Sequence, residues 1–451
     1  MKERYNKHEI AVIVLFVGIL FAMLFGMAAP SVCRRLGISL PGTGKNDAAN
    51  EASMSETATT QGPDKTTEPV NFAETYPFDE TADAENNGGI YEKIQSVESN
   101  LKGKISIIED AANEQVPGRT RFIEAYIQIQ KLLGSQVIDG DDVVVKMNNG
   151  LLTFLSDRLT DEEAHTCISN LEGLADDAEK LGAQFLYVQT PNKINKYDNQ
   201  LPAGVEDYAN ENADRLTEAL TTDGYSVLDL RDEIVKDMDF DSAFYASDHH
   251  WKPRTGLWAA RKILETMNAR LGTDFDADKC SQDAYDEKIY EHIFLGALGK
   301  KTGLGYVPLD DMSLLTPKFS TDFTMKIVGS GRIYEGDFTH TFMDQSQLVA
   351  DYYNRNPYAA YFRDDQALVE VTNRETTGTP RVLLLKDSFG LTTAPFLATA
   401  ISELDVIDLR YFNGSLEKYM EETRPDIVVV MYNPKAITAP VGYHADLFDF
   451  Q

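Results

Sequence analysis

Cysteine is scarce: Cys33, Cys167 and Cys280 are the three in 451 residues. None stands in a CxxC or Cys/His spacing, so a thiolate zinc site has no framework, and an odd number cannot pair completely. Buried free thiols are the expectation, with a Cys167–Cys280 bridge as the alternative. Positive charge is also short, 42 Lys and Arg against 72 Asp and Glu, for a net charge of −30. Phosphate backbones are held by clustered cations, so this balance argues against nucleic acid as a partner. There is no Walker A loop, no GxGxxG after a strand and no HExxH, so no cofactor is expected. The acidic runs 139–142 (DGDD) and 276–283 (DADKCSQD) lack the spacing of a calcium loop and read as solvated. No metal is expected either: Asp248, His249 and His250 have no further partner at ligand spacing.

What is present is enough to build a core, with 43% hydrophobic residues, 21 Tyr and 22 Phe, which excludes a wholly disordered chain. Residues 9–30 carry no charge after Glu9, a length that suits a helix crossing about 30 Å of hydrocarbon. Lys2, Arg4 and Lys7 precede it, so residues 1–8 read as a cytoplasmic tail and the rest as extracytoplasmic. The expected location is the cell membrane, single-pass. A signal peptide cleaved near Ala29 is the rival reading. Residues 31–88 read as an acidic disordered linker: between positions 36 and 90 there are ten Asp or Glu and two Lys, with no helical or strand period.

Residues 89–451 read as one folded domain. Helix-compatible spacing runs over 90–135, broken at Pro117-Gly118, and a hairpin is expected over 143–155 around Asn148-Asn149-Gly150. Helices expected over 161–181, 208–221 and 255–270 alternate with buried runs at 183–191 and 225–230. Further apolar runs follow at 381–387, 406–412 and 426–432, with a helix after Ser388. Helices between short β-branched runs predict an α/β fold, a mostly parallel sheet covered on both faces. Residues 272–375 break the rhythm and read as an inserted irregular region.

Two segments carry chemistry. In Phe244-Tyr-Ala-Ser-Asp-His-His-Trp-Lys-Pro253, extended alternation would put Asp248 and His250 on one side and His249 on the other. An aspartate accepting from one imidazole nitrogen leaves the other free to take a proton. A helix cap with solvated histidines is the bland alternative. In Arg381-Val-Leu-Leu-Leu-Lys-Asp-Ser-Phe-Gly390, a buried strand runs into Asp387-Ser388, the carboxyl edge where open α/β sheets bind ligands. The N–H groups of Ser388 and of the following turn would form an oxyanion hole, although Asp and Ser also simply cap helices.

Together FYASDHHW and LLLKDSFG resemble the DHHW-type proteins and the related SGNH-hydrolase-like alginate O-acetyltransferases. The segments 116–126, 188–202 and 406–412 look like further family blocks, and the resemblance spans about 88–445. It implies an SGNH-hydrolase-like fold with Ser388 as nucleophile, His250 as base and Asp248 as orienter. Arg410 and Tyr411 resemble a family pair near the site. Asn433 is a candidate oxyanion donor, Trp251 a candidate sugar platform, and Pro191 and Lys193 candidate cleft-lining residues. The family glycine before Asp-Ser is Lys386 here, whose side chain would crowd the oxyanion site.

The activity implied is a membrane-anchored O-acetyltransferase acting on a surface or secreted polysaccharide, fed by a polytopic membrane acyltransferase partner. A carbohydrate esterase with the same triad, or a non-catalytic glycan-binding scaffold, are the alternatives.

Overall fold

The computed structural model describes residues 131, 134–138, 143–437 and 445–450. The expected anchor 9–30, the linker 31–88, Cys33 and nearly all of 90–135 lie outside them. Among the described residues no helix is long and apolar enough to cross a membrane.

Strands β1 (Val137–Ile138), β2 (Val144–Lys146) and β3 (Leu152–Phe154) form a small antiparallel sheet, β2 and β3 being the expected hairpin. Gly150 takes φ +86° in its turn, a conformation cheap only without a Cβ. Alternation follows: α1 (Asp161–Lys180), β4 (Gln184–Gln189), α2 (Ala209–Thr222), β5 (Val227–Asp229), α3 (Leu230–Asp237) and α4 (Pro253–Thr266). Helix α1 starts where it does because Thr160 and Glu163 cap each other's backbone N–H.

The expected irregular insertion holds β6 (Tyr285–Phe294), α5 (Ala297–Thr302), β7 (Asp310–Pro317), β8 (Phe323–Ile327), β9 (Arg332–Gly336), α6 (Phe338–Phe342) and β10 (Leu368–Asn373). The chain ends with β11 (Val382–Lys386), α7 (Ala394–Ala400), β12 (Glu403–Ile407), α8 (Leu416–Thr423) and β13 (Ile427–Tyr432). The helix expected directly after Ser388 is instead a 3-10 turn, Ser388–Thr392, leading into α7.

The central sheet has the order β5-β4-β13-β11-β12-β10-β8-β9. Its first five strands are parallel neighbours, whereas β10, β8 and β9 join antiparallel. The sheet is therefore mixed rather than mostly parallel, because the insertion contributes three strands to it instead of loops alone. Period-two alternation sorts the parallel strands between two cores. Val382 and Leu384 of β11 face the layer with α4 and α7, while Leu383 and Leu385 face the layer with α1 and α2. Cys167 and Cys280 are buried free thiols, and burial pushes both above the usual thiol range.

Candidate active site

Ser388 follows β11, at the carboxyl edge of a parallel strand flanked by two others. Asp387 fixes the turn that presents it. Its Oδ1 accepts from Phe389 N at 2.8 Å, and its Oδ2 accepts from the Asn433 backbone and side-chain N–H groups at 2.7 and 2.6 Å. This corrects two expectations. Asn433 is directed at Asp387 and not at an oxyanion. The N–H groups of Phe389 and Gly390 are taken by Asp387, the latter by its carbonyl at 3.0 Å. The hole expected from this turn thus reduces to its first N–H, that of Ser388.

Across from it stands the Asp248–His250 loop, whose His250 is 138 positions from Ser388 along the chain. His250 Nε2 lies 2.6 Å from Ser388 Oγ, and His250 Nδ1 lies 2.6 Å from Asp248 Oδ1. Asp248 Oδ1 also accepts from His250 N at 3.0 Å, and Oδ2 accepts from Ala297 N at 2.7 Å. Burial alone would raise the Asp248 carboxyl, but the two neighbouring imidazoles and these hydrogen bonds hold it well below the usual carboxylate range.

The insertion holds this loop in place. Asp310 accepts from Ala246 N, Ser247 N and Ser247 Oγ at 2.7, 2.7 and 2.6 Å. Gly296 lies so close that a Cβ would stand 2.2 Å from Asp248 Cβ. Lys193 is buried and donates to the carbonyls of Asp248 at 2.7 Å and Ala246 at 3.2 Å, so it braces the loop from behind rather than lining a cleft. Burial brings its ammonium down to about 7, against the pull of Asp310 and Asp248.

Three further expectations change. His249 does not point away: its ring centroid is 3.8 Å from that of His250, because the segment bends rather than extends. Burial and repulsion from His250 push the His249 imidazole down to about 3, so it is neutral at ordinary pH. Trp251 is fully buried, donating to Phe389 O at 3.1 Å and Thr392 Oγ1 at 2.9 Å; it ties the two motifs together instead of offering a platform. Lys386 turns from the expected crowding position into a buried charge cluster. It donates to Asp365 and, at 3.0 Å, to Asp408. Arg410 grips Asp408 through Nε at 2.8 Å and Nη2 at 2.6 Å, and reaches Asp365 at 3.1 Å. Burial opposes both ends of the Lys386–Asp365 pair, yet the pairing prevails: Asp365 is held below the usual carboxylate range and Lys386 above its usual range. Tyr411, beside Arg410, is 41% exposed.

The spacing of residues gives no signal for Asp310, Gly296 or Asp365, which act through the folded insertion. Ligand-capable atoms of Asp248, His249 and His250 lie within 4.8 Å of one another.

Residues 153–304 match the family described as "SGNH hydrolase-like domain, acetyltransferase AlgX". The fold is SGNH-hydrolase-like. Among solved structures, Bacillus cereus PatB1 with a sulfonyl adduct is 19% identical, with a TM-score of 0.57, over 70% of this chain and 99% of that one. A DHHW family protein from Eubacterium siraeum is 19% identical, with a TM-score of 0.50, over 69% of this chain and 96% of that one. No curated protein matches by sequence. At the level of the family, the match is to an acetyltransferase domain. It ends before Ser388, so the contact between Ser388 and His250 rests on the geometry given above.

Proposed function

We propose that the protein is an O-acyltransferase that works through an acyl-serine, most simply an O-acetyltransferase acting on a surface or secreted polysaccharide. The observation that carries this is the continuous chain Ser388–His250–Asp248, with 2.6 Å at each link. His250 Nε2 takes the Ser388 proton as Oγ attacks the acyl carbonyl. Collapse of the tetrahedral adduct forms the serine ester, and His250 returns that proton to the leaving group. In the second half an acceptor hydroxyl gives its proton to His250, its oxygen attacks the serine ester, and the acylated sugar leaves with Ser388 restored. Asp248 holds the imidazole in the tautomer that both halves need.

With residues 9–30 as a membrane anchor and 31–88 as a spacer, the domain would work outside the cytoplasm. Acyl groups made inside the cell would then need a polytopic membrane partner to reach it.

The test uses the full chain with a small activated acetyl ester. Ser388→Ala should lower turnover by at least about ten-thousandfold, since triad members act as a unit. A sulfonyl reagent, the kind of adduct PatB1 holds, should label the Ser388 peptide. Acetylation of an added oligosaccharide identifies a transferase, and release to water alone identifies an esterase. Activity that survives Ser388→Ala would place the chemistry elsewhere.

A further inference from the structure

The base is held from a direction that the triad does not use. The Tyr358 ring lies face to face on the His250 imidazole, with centroids 4.0 Å apart and planes 13° from parallel. Tyr358 is buried, and its hydroxyl meets Thr392 Oγ1 at 3.1 Å, the same oxygen that accepts from Trp251 Nε1. One hydroxyl thus joins the residue after His250, the turn after Ser388 and the ring on the base.

The segment that delivers this ring is strained. Phe362, Arg363 and Asp364 take φ of 53°, 56° and 73° in succession, a conformation that side chains with a Cβ rarely adopt. Such backbone persists only where surrounding contacts hold it, and it gathers at functional sites. Here Arg363 donates to the carbonyls of Thr341 at 2.8 Å and His340 at 2.6 Å, with its guanidinium 3.7 Å over the Tyr334 ring. Just beyond the strained turn, Asp365 pairs with Lys386, two residues before the nucleophile. The segment 357–365 therefore reaches the base on one side and the nucleophile strand on the other.

We propose that Tyr358 is a positioning residue for the general base. Its ring fixes the plane in which His250 meets Asp248 and Ser388 at once, and its π face favours the imidazolium that forms in the transition state. This rests on the acyl-transfer reading of the site. An imidazole so clamped cannot swing out between the two half-reactions, so one ring orientation serves both proton transfers.

The experiment compares Tyr358→Leu and Tyr358→Phe in the full chain. Tyr358→Leu should lower kcat on a small acetyl ester about tenfold, the size of an aromatic pair's contribution, with KM unchanged. Tyr358→Phe keeps the ring and should stay within about twofold of the wild type. A second readout needs no turnover: the downfield proton resonance of the His250–Asp248 hydrogen bond should be present in the wild type and Tyr358→Phe and broadened in Tyr358→Leu. Wild-type kcat and resonance in Tyr358→Leu would overturn the proposal. So would a wild type without the resonance, or equal losses in both variants accompanied by a lowered melting temperature. A wild type that turns over no ester but whose resonance responds as described would leave Tyr358 in its role and sink the acyl-transfer reading instead.

Discussion

The two ends of the central sheet are built differently and do different work. From β5 to β12 the strands are parallel, apolar on both faces and covered by helices, and this end presents Ser388. From β10 to β9 they are antiparallel, and β9 is largely exposed. The insertion that supplies β6 to β10 provides neither Ser388 nor His250. It provides Asp310, Gly296 and Ala297 against the Asp248 loop, and Tyr358 against His250. Parallel topology fixes Ser388 through a strand end, which is a local feature. His250 is on a loop, and a loop is only as well placed as what packs against it.

The sharpest way to break this contrast is Gly296→Ala. The new methyl would stand 2.2 Å from Asp248 Cβ and 2.4 Å from its Oδ2, so the carboxylate must move. A misplacement of about 1 Å costs roughly a hundredfold in rate, and removal of the orienter costs more. Turnover of the activated ester should fall at least about a hundredfold, with a lower melting temperature as well, because the clash reaches the Asp248 Cβ and Cα and the buried loop has to shift. Unchanged turnover would mean that the insertion is a passenger.

The parallel end was readable because its strands are apolar on both faces, which leaves no alternation to misjudge. Helices expected over 161–181 and 208–221 are found at 161–180 and 209–222. Ser388, His250 and Asp248 were readable as two short motifs. The insertion was not, since β6 and β9 are mostly exposed and polar and so look like loop. Their pairing is set by partners far along the chain. His249 departs from the alternation for a related reason: alternation requires extended backbone, and this segment bends. The direction of Lys386 is not legible in the sequence because Asp365 and Asp408, its partners 21 and 22 positions away, have no fixed offset that a motif could encode.

Lys386 is where the two ends meet, its partners being Asp408 after β12 and Asp365 after the strained turn. Lys386→Met leaves two buried carboxylates with Arg410 as their shared cation. Breaking a buried pair in this way typically costs about 3–5 kcal/mol, read as a lower urea midpoint at unchanged m value. A loss below about 1 kcal/mol would mean that the cluster relaxes and does not couple the two ends. Asp310→Asn should cost less, about 1–3 kcal/mol, because an amide turned toward Ser247 keeps one acceptor and loses another. Its signature should be a lower kcat on the ester with little change in KM, from a loop that no longer holds Asp248 steady.

The smallest effect is expected behind the loop, at Lys193, and it should depend on pH. The folded ammonium sits at about 7, far below its ordinary range, with burial as the main cause. Between that value and the unfolded value of about 10.4, the unfolded chain binds a proton that the folded chain lacks. Stability contributed by this group therefore rises as pH rises from 7, and levels off once the unfolded lysine also loses its proton. Between pH 7 and 8.5 the gain should be about 1–2 kcal/mol. Lys193→Met removes the titrating group but keeps the buried stem, so the gap between the two urea midpoints should widen over that interval in favour of the wild type. A constant gap would show that Lys193 stays protonated against the Asp248 and Ala246 carbonyls, held by Asp310 as part of an ion pair rather than as a neutral amine.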